Sequence, residues 1–269
     1  MRSQSSHRKL RAAAVVCAVA AVAVPAPAAA WAATAPRGPA PAVAAPTPDP
    51  FDGLSPAEIA DRAVDATRSA DSLRMTGQVV SEGQDLDVDL SVDDQGSCQG
   101  RIGVEEGEAE LRRVDDVTYM KGDAAFWRIS MTAEGVPENQ IDPVIELVEG
   151  RWLKIGPGEA GSADLAEVCD LDLLLDDLGE DRDDAGLTRG PDREIDGDPV
   201  ATLVEKESGE TTTVSVAQEG KPYIRQVVGT GGEEPGSMTL SEFDRPVEVT
   251  APPADEIVDL SRLDTGTSA

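Results

Sequence analysis

Acidic and aliphatic residues alternate without interruption along Asp85-Leu86-Asp87-Val88-Asp89-Leu90-Ser91-Val92-Asp93. A period of two places one set on a wet face and the other on a buried face, so this segment is predicted to be a half-buried strand. Asp94-Gln95-Gly96 then turns the chain into a second strand carrying Cys98, Ile102 and Val104. Similar patterns predict strands over 110–114, 117–121, 126–131 and 151–155. A further group is predicted over 199–206, 211–217, 222–229, 237–243 and 247–250, joined by Gly-rich turns such as Ser208-Gly209 and Glu219-Gly220.

Helical spacing occurs in three places. Ser55, Pro56 and Glu58 form an N-terminal cap, after which Ile59, Ala63, Val64 and Thr67 fall on one face. Over 138–149, Ile141, Val144, Ile145 and Val148 make an apolar stripe that Gly150 ends, with Pro143 placed to delay its start. A third, strongly apolar helix is predicted over 163–178, with Ser162 as its cap and Gly179 as its stop. About a dozen short strands linked by tight turns favour one large, curved antiparallel sheet, and the central helices are the cover for its buried face. The expected class is therefore α+β.

The ends of the chain read differently. Arg2, Arg8, Lys9 and Arg11 precede an apolar run from Ala12 to Val24, and Ala30-Trp31-Ala32 supplies small residues for cleavage, so residues 1–33 are predicted to be an export signal. The run falls short of the ~20 apolar residues a spanning helix needs. Cys17 follows Val16 where lipoprotein processing calls for a small residue, and is read as part of the discarded leader. Residues 34–53 alternate Pro and Ala as a stiff tether, 54–263 form the folded domain, and 264–269 a tail. The expected location is secreted, extracellular or attached to the cell wall.

Charge and composition narrow the chemistry. The chain has 23 Lys+Arg against 52 Asp+Glu, a formal net charge of −29, and the predicted leader takes basic residues with it. Such a field opposes nucleic acid. The one histidine, His7, also lies in the leader, so Ser-His and Cys-His nucleophile pairs are excluded from the remainder. Two cysteines remain, Cys98 and Cys169, and outside the cytoplasm an even pair predicts a disulfide. Closing a loop of about seventy residues would contribute roughly 4 kcal/mol in the chain-entropy model. The acids of 176–198 lack the spacing of a Ca²⁺ loop, and no phosphate-binding loop occurs, so neither metal nor cofactor is expected. Aromatic residues make up 3% of the chain, too few to furnish sugar platforms, which weighs against a glycoside hydrolase.

An ordered set of short motifs runs through the domain: Met75-Thr76-Gly77, Gly96-x-Cys98-x-Gly100, Val117-Thr118-Tyr119-Met120-Lys121, Phe126-Trp127 and Arg151-Trp152-Leu153-Lys154. It continues with Asp196-Gly197-Asp198-Pro199-Val200, Gly220-Lys221-Pro222-Tyr223-Ile224-Arg225 and Phe243-Asp244-Arg245-Pro246-Val247. Together these resemble the actinobacterial LppX/LprG-type lipoproteins, within the broader superfamily of the lipoprotein-localisation factor LolA. The resemblance implies a half-barrel sheet with helices packed on its concave face, an apolar cavity, no catalytic centre, and lipids or acylated molecules as cargo. Family members are anchored through a lipidated cysteine, whereas this chain has Ala-rich and Pro/Ala sequence there. The cavity candidates are Leu86, Val88, Leu90, Val92, Leu111, Tyr119, Trp127, Trp152, Leu174 and Leu175. An envelope sensor that binds a protein partner on the same scaffold is the alternative, and in either case a monomer, with peripheral membrane contact allowed, is expected.

Overall fold

The computed structural model describes residues 49–259 apart from 82, 177, 179–183, 208 and 233. The predicted leader, most of the tether and the tail lie outside the described residues. No described helix is long and apolar enough to cross a membrane.

The first helix, α1 (Pro56–Arg68), starts where the sequence places it: Ser55 accepts from the Glu58 backbone, and the Glu58 side chain accepts from the Ser55 backbone. Its buried face carries Ile59, Ala60, Ala63 and Thr67. Four antiparallel strands follow as a meander: β1 (Ser72–Ser81), β2 (Gln84–Asp93), β3 (Cys98–Val104) and β4 (Gly107–Val114). β5 (Val117–Gly122) continues it.

The chain then leaves the sheet for two helices, α2 (Ala124–Ala133) and α3 (Glu138–Val148), and returns as β6 (Trp152–Ile155). The expected strand over 126–131 is thus a helix. Asp123 decides it, because its carboxylate accepts from the Phe126 backbone at 2.7 Å and caps a new helix, whatever the alternation beyond. Pro143 sits inside α3 rather than delaying it.

The predicted long helix over 163–178 is two short ones, α4 (Ser162–Glu167) and α5 (Leu171–Asp176). The break falls at Cys169, which is bonded to Cys98 across a separation of 71 residues. Asp170 restarts the helix by accepting from the Leu173 backbone. The acidic stretch after it holds two short strands, β7 (Thr188–Arg189) and β8 (Arg193–Ile195). Then come β9 (Asp198–Glu207), β10 (Glu210–Ala217), β11 (Ile224–Thr230) and β12 (Gly236–Ser241). The expected last strand over 247–250 does not form. The chain instead crosses to the far edge, where β13 (Ile257–Asp259) pairs parallel with β6.

Among the described residues these strands make one open sheet, ordered β13-β6-β5-β4-β3-β2-β1-β12-β11-β10-β9-β7, with β8 also on β9. Strand β13 makes it mixed rather than wholly antiparallel. Close strand approach is built in by glycine: a Cβ on Gly77 or Gly100 would lie 2.0 Å from the carbonyl oxygen of Ser237 or Asp89. The main core lies between one face of this sheet and α1, α5 and Phe126, and it includes Phe51 from the start of the domain. A satellite core of Met131, Ile141 and Ile145 joins α3 to α2.

Candidate functional site

Cross-strand partners share a face, so the register sorts every sheet residue. The set Leu73–Val92–Cys98 and the set Met75–Leu90–Gly100–Leu111–Met120–Leu153 run across neighbouring strands on the side covered by helices. One step along the strands lie Gly77, Val88, Ile102 and Ala109, and beyond them Val79, Leu86 and Val104. Across β12, β11 and β10 the same face continues through Met238, Val227 and Val214.

This covered face has two halves. At the proximal end, beside the start of β1, Leu73, Leu90, Val92 and Leu111 are at most 1% exposed. Several attachments hold the cover there. Thr67 Oγ1 accepts from the Ile224 backbone at 2.9 Å and fixes α1 to β11. Arg68 donates from Nε to the Leu175 carbonyl at 3.1 Å and also reaches the Asp176 carbonyl, so a cation closes the end of α5. The disulfide ties the α4–α5 junction to β3.

At the distal end, where the β1–β2, β3–β4, β9–β10 and β11–β12 turns gather, Val79, Leu86, Val88, Ile102, Val104, Val214, Val227 and Met238 are only half-buried. Leu165, Val168, Leu174 and Leu178, from α4, α5 and their flanks, are partly buried and pack against the same core. This apolar trough is the candidate site.

The ten sequence-derived lining positions divide accordingly. Leu90, Val92, Leu111 and Leu175 are core residues of the proximal half. Val88, Trp127 and Leu174 stand at the margin of that core, and Leu86 lies at the distal end. Trp127 is oriented by donating from Nε1 to the Gly122 carbonyl at 3.1 Å. Tyr119 and Trp152 are not brought to this group: Tyr119 pairs with Arg112 and Lys154, and Trp152 lies two residues before Lys154 on β6, so both stand on the outer face. There the Arg112 guanidinium lies 4.5 Å from the Trp152 ring centroid and donates to the Thr250 carbonyl at 3.4 Å. The trough residues Val79, Ile102, Val104, Val227 and Met238 were not among the expected positions. The β1 and β3–β4 pairings are needed to see them as one surface.

The outer face is polar. Arg74 grips Asp89 through two hydrogen bonds of 2.8 and 2.9 Å, which hold the Asp89 carboxyl below the usual range. Tyr223, stacked on Phe243 at 4.0 Å, donates to Asp244 at 2.6 Å, and Lys221 donates to the same oxygen at 2.9 Å. These bonds lower the Asp244 pKa, while burial and the facing carboxylate raise that of Tyr223. A groove of about 530 Å³ between Asp87, Arg101 and Glu108 opens among charged side chains. No group of three or more His, Cys, Asp or Glu residues suited to a metal occurs among the described residues.

An open, largely antiparallel sheet with helices on one face and a half-buried apolar strip at its distal end defines the fold class. The solved structure of LprF from Mycobacterium bovis has this fold: it superposes with a TM-score of 0.50 at 16% identity, covering 74% of this chain and 97% of that one. LppX from Mycobacterium tuberculosis gives 0.45 at 15% identity over 72% and 98% of the two chains. A putative outer membrane lipoprotein-sorting domain from Vibrio parahaemolyticus gives 0.23 at 11% over 71% and 93%. No family model and no curated protein matches the sequence. The LprF superposition bears out the resemblance read from the motifs at the level of the fold.

Proposed function

We propose that the protein is an exported, non-enzymatic carrier or binding protein for lipids or acylated molecules, and that the acyl chain lies in the distal trough. The observation that carries this reading is the half-burial of Val88, Ile102, Val104, Val227 and Met238 on a face whose proximal residues are sealed. Fully burying one such side chain is worth about 1.5–3 kcal/mol, so an unfinished strip of this size is a standing apolar binding surface. A sixteen-carbon chain in turn needs roughly 12 kcal/mol of shielding from water at about 0.8 kcal/mol per CH₂. Partly buried Leu174 and Leu178, packed against the core from α5 and its flank, border the trough on the helix side. The LprF fold, the predicted leader and the lack of histidine in the folded domain agree with a role in binding outside the cytoplasm.

Native mass spectrometry of the purified protein, combined with titration of a fluorescent acyl probe, tests the proposal. Extra mass removed by organic solvent, or saturable uptake of one probe per chain, is the expected result. A protein that carries no such mass and takes up no probe overturns it. Exposed Val144 and Leu147 on α3 favour a second reading, a protein-binding envelope module. That reading predicts a cross-linked partner lost on Leu147→Asp, with no acyl uptake.

A further inference from the structure

We infer that the trough selects acyl chains whose heads carry no negative charge; this rests on the acyl-binding reading above. The proximal end is closed by α1, α5 and the disulfide, so a chain entering the trough points its tail inward and leaves its head at the distal turns. The register brings those turns to one rim: Val79 pairs with both Leu86 and Gly236, Val104 with Gly107, and Thr211 with both Lys206 and Thr230. The Glu105 backbone also donates to the Asp85 carbonyl at 3.0 Å.

The rim is strongly acidic. Among the described residues, Asp85, Glu105, Glu106, Glu207, Glu210 and Glu234 stand there with Lys206, and Arg101 lines the neighbouring groove on the outer face. The arginines of this part of the sheet sit farther up the outer face, where Arg74 and Arg101 are directed at Asp89. Neighbouring turns lie two strand spacings, about 10 Å, apart, so a carboxylate or phosphate head seated at the β1–β2 and β3–β4 turns would face Asp85, Glu105 and Glu106 at a range comparable to the Debye length, ~8 Å at physiological salt. A quaternary ammonium would meet opposite ones, and an uncharged glycerol head would meet neither penalty nor attraction. Summed over a few charges at such distances in water, the difference between anionic and cationic heads is at least about tenfold in affinity.

Competition against one fluorescent acyl probe distinguishes the possibilities. Dodecanoate, dodecyltrimethylammonium and dodecanoylglycerol, each below its micelle concentration, keep the tail constant. The expected order is ammonium tightest and carboxylate weakest by at least about tenfold, with the gap shrinking at high salt. In Asp85→Lys/Glu106→Lys the preference should shrink or reverse. In Asp94→Lys/Glu219→Lys, an equal charge change at the opposite end of the sheet, it should persist. Equal binding of all three heads, or equal responses in the two double variants, overturns the inference while leaving the acyl reading intact. Failure of every chain to compete overturns both, and a probe that itself never binds removes the acyl reading first.

Discussion

The two halves of the covered face use the same aliphatic alternation and end in different states. In the proximal half, Leu90 and Leu111 belong to one core with Phe51 and residues of α1 and α5, and are at most 1% exposed. In the distal half, Val88, Ile102 and Val104 stand on the same strands and remain partly wet. What differs is the cover. The proximal cover is tied by the disulfide, by Thr67 and by Arg68, whereas at the distal end α2 seats Phe126 over Gly107 at the start of β4 and the side chains of the strands beyond it stay half-buried. An identical strand pattern thus supplies stability at one end and an available apolar surface at the other.

Opening the proximal half should have the largest effect. Cys98→Ala/Cys169→Ala removes a cross-link over 71 residues and is expected to lower stability by about 4 kcal/mol, read from urea unfolding. Leu111→Ala, at a site 1% exposed, should cost about 3 kcal/mol by the same measurement, through lost transfer energy and the cavity left behind. The distal half should respond more weakly in stability: Val104→Ala should cost only about 1 kcal/mol. Val88→Trp, which fills the trough, should weaken acyl-probe uptake by about tenfold or more while the fold persists.

The smallest effect concerns acid. The folded protein holds the Asp244 carboxyl below its ordinary value of about 4 through bonds from Tyr223 and Lys221. A depressed carboxylate pKa contributes stability that is complete above the unfolded value and is lost as pH falls through the folded one. Unfolding free energy should therefore be flat on this account above about pH 5 and decline below about pH 4. Asp244→Asn should flatten the acid side in a denaturation series over that range.

The sequence signals that survived folding were those backed by a local physical cause. The capping box of Ser55 and Glu58 located α1, strict alternation located β2, and the cysteine pair predicted the bond that forms. The failures were competitions between local signals. Phe126, Ile129 and Met131 offered an apolar pattern that suited a strand, and the Asp123 cap made it a helix. The apolar run over 163–178 looked continuous, and the Cys169 tether with the Asp170 cap divided it. Strand β1 has alternating Leu73, Met75, Gly77 and Val79, but Gly77 and the adjacent Val79-Val80 pair blurred the period. The candidate site was legible only in part because alternation names two faces without saying which is covered. Tyr119 and Trp152 obey the same period as Met120 and Leu153 and stand on the other side.

Methyl-resolved NMR spectra of the protein titrated with a dodecyl-chain ligand test the central claim most directly. The methyls of Val88, Ile102, Val104 and Val227 should shift in a saturable manner while those of Leu90 and Leu111 hold still. Shifts confined to the sealed proximal residues, or no saturable shift at all, would contradict the account.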